Sequence, residues 1–161
     1  MLTLHLDHCA VMDSDDRGSV DAPAVQGSTG LCVLPSLIEG AGYGVFAGRF
    51  HAKGSTVAIY YGDVMDAASI ADASRLDWDI KYAYSMELAP GVWIDARRLK
   101  TCIARYLNDH VDRTKHNVTW VRRPALLIAE VVALRDIHPG EELYISYGDE
   151  YWTGPHKISE A

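Results

Sequence analysis

Gly40-Ala41-Gly42-Tyr43-Gly44-Val45-Phe46-Ala47 admits two readings, and the choice between them decides the fold. One is a dinucleotide-binding fingerprint, since the run contains G-x-G-x-x-A and Asp63 follows about twenty residues later. That reading needs a helix to begin at the glycines, so that its N-terminus can meet a pyrophosphate. Val45–Ser55 carries Gly48 and Gly54, lacks apolar residues at helical spacing, and is hardly long enough for a crossover helix. The other reading is a turn running into a strand, with glycine either bending the backbone or letting a ligand approach it.

The sequence on both sides favours strands. Short apolar runs recur from Leu31 onward, divided by glycine, proline and polar residues, and most are too short for helices. The pattern predicts strands near Leu31–Pro35, Tyr43–Ala47, Thr56–Asp63, Ala83–Leu88, Val92–Asp95, Asn117–Arg122, Leu126–Leu134 and Leu143–Ser146. Two helical segments interrupt them. Asp66 can cap a run to about Leu76, with Ile70, Ala73 and Leu76 on one face, and a shorter turn covers about Thr101–Leu107. Ile137-His138-Pro139-Gly140 reads as a tight turn. Residues 1–30 hold Asp13-Ser14-Asp15-Asp16 and Gly27-Ser28-Thr29-Gly30 with few apolar anchors, and read as a flexible N-terminal segment. The expectation is one mostly β domain over 31–152, followed by a C-terminal tail over 153–161.

Composition narrows the function. A chain of 161 residues, 48% hydrophobic, can build a core without staples and is neither disordered nor collagen-like. No run approaches ~18 uncharged apolar residues, so no membrane span is expected, and the N-terminus shows no signal-peptide pattern. Cys9, Cys32 and Cys102 are widely spaced and form no CxxC pair, which argues against a disulfide framework and a zinc cluster and favours an intracellular, reducing setting. Fifteen Lys and Arg against 22 Asp and Glu leave a formal charge of −7. Such a surface repels phosphate backbones and suits basic peptides.

Taken singly, the chemistry-bearing residues have plain explanations. A strand tyrosine such as Tyr60 or Tyr147 is usually half-buried packing. Asn108 reads as a turn residue, His110 and His116 as loop residues, and Cys102 as core. Their order along the chain says more. After Gly42-Tyr43-Gly44 come Lys53-Gly54, Tyr60-Tyr61-Gly62-Asp63, Tyr84-Ser85-Met86-Glu87-Leu88 and Trp93-Ile94-Asp95-Ala96. Arg105-Tyr106-Leu107-Asn108, His116-Asn117, His138-Pro139-Gly140-Glu141-Glu142-Leu143 and Tyr144-Ile145-Ser146-Tyr147-Gly148 follow.

This series resembles the SET-domain protein lysine methyltransferases, in their compact stand-alone form without zinc-binding flanks, over Leu31 to Trp152. The resemblance implies a fold of several small sheets with short helices and a knot-like C-terminal threading. It also implies methyl transfer from S-adenosyl-L-methionine to a lysine side chain of a basic protein segment such as a histone tail. Chromatin regulation, and a nuclear location if the substrate is histone, would follow. Neither nucleic acid nor membrane binding is expected, no metal is implied, and a homodimer is left open.

By the same resemblance Gly42, Tyr43 and Gly44 bring backbone against the cofactor, and Arg105, Tyr106, Asn108 and Asp109 form the facing wall. Tyr147 sits at the point of methyl transfer with Tyr60, and Tyr84, Ile145 and Trp152 line the substrate channel. The sequence departs from the family at Asp109, where histidine is usual, at Ile145, where an aromatic residue is common, and at Ser146, where aspartate is common. Ile145 lacks a hydroxyl to hold a channel water and points to multiple methylation. Two other classes stay open at this level: a catalytically degenerate module that binds peptide or cofactor without turnover, and an all-β scaffold with no ligand.

The chemistry suits phenols. Only about one lysine in a thousand is neutral near neutral pH. A narrow aromatic channel disfavours the ammonium and aligns the amine for displacement.

Overall fold

A computed structural model of the chain describes residues 29–66 and 84–153. Residues 1–28, 67–83 and 154–161 lie outside it, and with them the expected N-terminal segment, the helix after Asp66 and the tail. Among the described residues nine strands form three three-stranded antiparallel sheets, so the chain is mostly β, as its sequence implies.

The first sheet orders β1 (Leu31–Pro35), β2 (Tyr43–Ala47) and β9 (Glu142–Leu143) as β1-β2-β9. Leu31 pairs with Ala47 and Val33 with Val45, which places all four apolar side chains in the core. The second sheet, β3-β8-β7, is built from β3 (Thr56–Tyr60), β7 (Val118–Arg123) and β8 (Ile128–Ala133). Along β8, Ala129, Val131 and Ala133 are buried while the residues between them are half-exposed, the alternation expected of a strand with one face on the core. The third sheet, β4-β6-β5, holds β4 (Asp63–Asp66), β5 (Ser85–Ala89) and β6 (Val92–Asp95).

The strands expected at Ala83–Leu88 and Asn117–Arg122 are bounded as Ser85–Ala89 and Val118–Arg123, and three other expected elements are drawn differently. Thr56–Asp63 is two strands, because the chain breaks at Tyr61-Gly62 to change sheets. Gly62 passes so close to the Asp95–Ala96 backbone that a Cβ would lie 2.3 Å from the Asp95 carbonyl, an approach open only to glycine. Leu126–Leu134 begins later, at Ile128, after a 3₁₀ turn over Pro124–Leu126 that ends in left-handed Leu127 (φ 54°). Leu143–Ser146 pairs as a strand only over Glu142–Leu143, and the following residues are held by an isolated bridge to Asn108 together with the Asn117 and Asp109 side chains.

The sheets share one core, in which Leu31, Ile94, Ile103, Ile137, Leu143 and Ile145 are fully buried. Within it lies a 3₁₀ helix over Ile103–Tyr106, packed against both β2 and β3. This is the short turn expected near Thr101–Leu107.

Candidate active site

The 3₁₀ helix organises the site. It buries Ile103 and Ala104 and leaves Arg105 and Tyr106 at the margin of the core. Its exit, Leu107-Asn108-Asp109, runs beside the C-terminal segment: Asn108 forms a parallel bridge with Tyr144, and Ile145 N–H donates to the Asn108 carbonyl (3.0 Å). Two distant parts of the sequence therefore meet at one place.

The glycine turn is tied to this wall from the other side. Asn108 Nδ2 donates to the Tyr43 carbonyl (2.9 Å) and to Ser36 Oγ (3.2 Å). The Tyr43 ring meets the Tyr106 ring edge-on at 6.4 Å. Gly42 has φ 74°, a left-handed conformation that favours glycine, and the space beside it is open. Gly44 is different. A Cβ there would lie 2.0 Å from Glu142 Oε1 and 3.4 Å from Asn108 Nδ2, so glycine leaves the room that a buried carboxylate occupies. Glu142, 3% exposed, accepts from Ser36 Oγ (2.7 Å), Leu37 N–H (2.7 Å) and Tyr144 OH (2.8 Å).

Tyr147 OH donates to the Leu107 carbonyl (2.5 Å), and Tyr60 OH donates to the Tyr84 carbonyl. Burial pushes the pKa of both phenols well above the ordinary tyrosine value; nearby Cys102, Asp95 and Tyr147 add to the effect at Tyr60, and Tyr151, Asp109 and Tyr84 at Tyr147. Both therefore keep their protons at neutral pH and donate them to main-chain oxygens. Each phenol oxygen retains lone pairs with which to accept. The Arg105 guanidinium sits 4.5 Å from the centre of the Tyr84 ring and 5.2 Å from that of Tyr106. Trp120 packs edge-on against Tyr60 at 5.3 Å.

The terminal helix, Asp149–Thr153, covers Tyr147. Trp152 stacks nearly parallel to the Tyr147 ring at 6.3 Å, and Tyr151 meets it edge-on at 4.8 Å. Asp109, placed by sequence on the cofactor wall, turns its carboxylate towards this helix: it accepts from Tyr147 N–H and from Trp152 Nε1–H, each at 2.9 Å. Ile145 is wholly buried.

The sequence-derived residues thus gather around Ile103–Asp109, with Gly42–Gly44 on one flank and Tyr60, Tyr84 and Tyr147 on another. Three residues that hold this arrangement were given no site role by sequence. Glu142 fills the space beside Gly44. Asn117 donates from Nδ2 to the Glu142 carbonyl and accepts from Tyr144 N–H, both at 2.9 Å, pinning the segment that carries Tyr147. His116, read as a loop residue, bonds Asp109 Oδ1 through Nε2 at 2.7 Å. The run His116-Asn117 was visible among the motifs, but its partners lie 25 or more residues away or across a loop, beyond the reach of spacing.

Comparison with known proteins agrees with this geometry. A family model described as the SET domain matches residues 42–148. N-lysine methyltransferase KMT5A-A of Xenopus laevis is 34% identical over 154 residues, covering 86% of this chain and 42% of that protein. Histone-lysine N-methyltransferase EZH2 of Chaetomium thermophilum is 28% identical over 133 residues, covering 78% of this chain and 8% of that protein. Among solved structures, "ctPRC2 in an autoinhibited conformation bound to S-adenosylmethionine" superposes with a TM-score of 0.58 at 26% identity, covering 74% of this chain and 15% of that one. This chain therefore spans less than half the length of these relatives.

Proposed function

The chain belongs to the SET-domain family, and from that premise we propose that it transfers methyl groups from S-adenosyl-L-methionine to the side-chain amine of lysine in a basic protein segment such as a histone tail. The unit that does this is residues 31–152. One observation carries the reading: Tyr147, half-buried and bonded through its hydroxyl to the Leu107 carbonyl, stands with Tyr60 and Tyr84 beside a wall that also borders the glycine turn.

The residues present suit the methyl donor. Tyr106 OH and Arg105 Nε are buried without a hydrogen-bond partner among the described residues, and a cost attaches to leaving such atoms dry and unpaired. A polar ligand between Gly42–Gly44 and Arg105–Tyr106 would satisfy them. Gly42, Tyr43 and Gly44 would hold it by backbone, with Arg105, Tyr106 and Asn108 opposite. When bound, S-adenosyl-L-methionine supplies a sulfonium-borne methyl carbon that is already electrophilic.

The protein's share is to prepare the amine. Aromatic walls exclude water, which disfavours the ammonium and sends its proton to solvent. Tyr147 and Tyr60 cannot take that proton as phenolates, because burial keeps them protonated. Their hydroxyl protons go to the Leu107 and Tyr84 carbonyls, so each oxygen can accept from a neutral amine and fix its orientation. β5 stands last in the strand order of its sheet among the described residues, and an extended peptide added there as a further strand would lie beside Tyr84. The formal charge of −7 favours a basic peptide. Ile145 brings no hydroxyl to the channel, and the product extends beyond one methyl group. A histone target would place the work in the nucleus.

Labelled cofactor with core histones, read by mass spectrometry, tests this. Wild type is expected to label lysine, and Tyr147→Phe, which keeps the ring and removes the hydroxyl, is expected to lose roughly a hundredfold in kcat. Absence of transfer by wild type, while cofactor binding is confirmed by calorimetry, overturns the reading.

A further inference from the structure

Asp109 is a carboxylate whose partners do not match a ligand-binding role. Its side chain is 7% exposed, and its bonds among the described residues run to other parts of the protein. Oδ1 faces His116 Nε2 at 2.7 Å, and Oδ2 accepts from both Tyr147 N–H and Trp152 Nε1–H at 2.9 Å. An ionised carboxylate only accepts, so His116 carries a proton on Nε2, and three N–H donors converge on one group. The two donors at Oδ2 lie 38 and 43 residues away in sequence.

The terminal helix needs such an anchor. Its five residues are far too few to be stable alone, since an isolated helix is marginal in water below about 12 residues. Its other charged tie, Arg113 to Asp149, is exposed on both sides (73% each) and belongs to a class that contributes little. Trp152 keeps 41% of its surface open while its ring lies flat against Tyr147. The outer wall over Tyr147 is therefore an exposed aromatic lid that the buried Asp109 carboxylate fastens.

Resting on the methyl-transfer reading, we infer that Asp109 is a positioning residue: it fixes the Tyr147 main chain and clamps Trp152 over the Tyr147 ring, and so shapes the lysine channel, not the cofactor pocket. Asp109 and His116 act together, His116 orienting the carboxylate so that Oδ2 points at both donors.

The experiment uses the full chain and two readouts. In the first, 1H–15N spectra show the four tryptophan indoles, with Trp152 assigned through Trp152→Phe. Asp109→Ala is expected to move the Trp152 indole proton towards the position of a solvent-exposed indole, while Asp109→Asn, which keeps an acceptor oxygen, leaves it near its wild-type place. In the second, Asp109→Ala lowers kcat/KM for a histone peptide by roughly ten- to a hundredfold, the loss of a hydrogen bond to a charged group, with cofactor affinity within about twofold. Asp109→Asn recovers most of that loss, and adding Trp152→Phe to Asp109→Ala costs little more, because both act through one contact.

An unmoved Trp152 indole in Asp109→Ala overturns the inference, as does a fall in cofactor affinity as large as the fall in peptide turnover. If Asp109→Ala fails to fold, Trp152→Phe, which removes the Nε1–H donor, carries the comparison: it is expected to lower kcat/KM for the histone peptide with cofactor affinity within about twofold, and an unchanged kcat/KM overturns the inference. Absence of transfer by wild type removes the methyl-transfer reading, yet the indole shift, read without substrate, still decides whether Asp109 holds the helix.

Discussion

Gly44→Ala is expected to be the most damaging single methyl that can be added to this protein's glycine turn. The added Cβ would lie 2.0 Å from Glu142 Oε1 and 2.8 Å from Cδ, where ordinary contact begins at 3.4 Å. Oε1 would have to withdraw by about 1.4 Å, which breaks a 2.7 Å bond. A side-chain tip normally yields cheaply, but this one is buried and held by Ser36, Leu37 and Tyr144. Each hydrogen bond to a charged group is worth about 1.5–3 kcal/mol, so losing the Ser36 bond costs about that much, and losing a second with it roughly 3–6 kcal/mol. Gly42→Ala is the internal control. Its Cβ meets nothing within 4 Å, and it carries only the backbone penalty of a left-handed residue, about 1–2 kcal/mol. Urea unfolding of both variants measures the difference, and for a chain of this size it corresponds to a melting shift of about 2–4 °C per kcal/mol. If Gly42→Ala destabilises as much as Gly44→Ala, or Gly44→Ala costs less than about 1 kcal/mol, the close-approach argument is wrong.

Asn117→Ala strands the Glu142 carbonyl and the Tyr144 N–H, both buried; it is expected to cost roughly 2–5 kcal/mol in urea unfolding, and a loss under 1 kcal/mol would show that water replaces the amide. Tyr60, Tyr144 and Tyr147 have pKa values raised first by burial, so the native state holds their protons longer than the unfolded chain does. Stability should therefore be retained below the ordinary tyrosine pKa of about 10 and fall as pH rises beyond it. Phenolate absorbance from these three should appear only together with unfolding; earlier, separate ionisation contradicts this. His51, 4% exposed, has its pKa lowered first by burial and then by Arg49. Its contribution is present above about pH 6.5 and lost on acidification, and an NMR titration midpoint for its ring at or above 6.5 would refute the assignment.

How far the sequence could be read depended on whether the cause of each feature was local. The bounds of β1, β2 and β6 follow from apolar runs closed by glycine, proline or charge, and the structure keeps them as read. Thr56–Asp63 looked continuous because what divides it, the passage of Gly62 over Asp95, comes from another sheet. The end of β9 has the same character. Tyr144–Tyr147 look like strand residues, but Asn117, Asn108 and Asp109 hold them, and none of those is a sheet partner within a regular ladder. In the site, spacing and resemblance brought forward the tyrosines and glycines. The orientation of a short side chain such as Asp109 depends on which of two walls it turns to, and nothing in Asn108-Asp109-His110 encodes that.

The 3₁₀ turn at Ile103–Tyr106 also governs how the site can breathe. Its two leading residues are at most 2% exposed and sit among the deepest described side chains, while Leu107, the residue that follows it, supplies the oxygen that receives Tyr147. Loosening that wall means dissolving the interior, so amide protons there should exchange with solvent only at the rate set by complete unfolding. Substrates must then arrive through standing openings, and an inhibitor designed to wedge this floor apart would have to work against the stability of the entire fold.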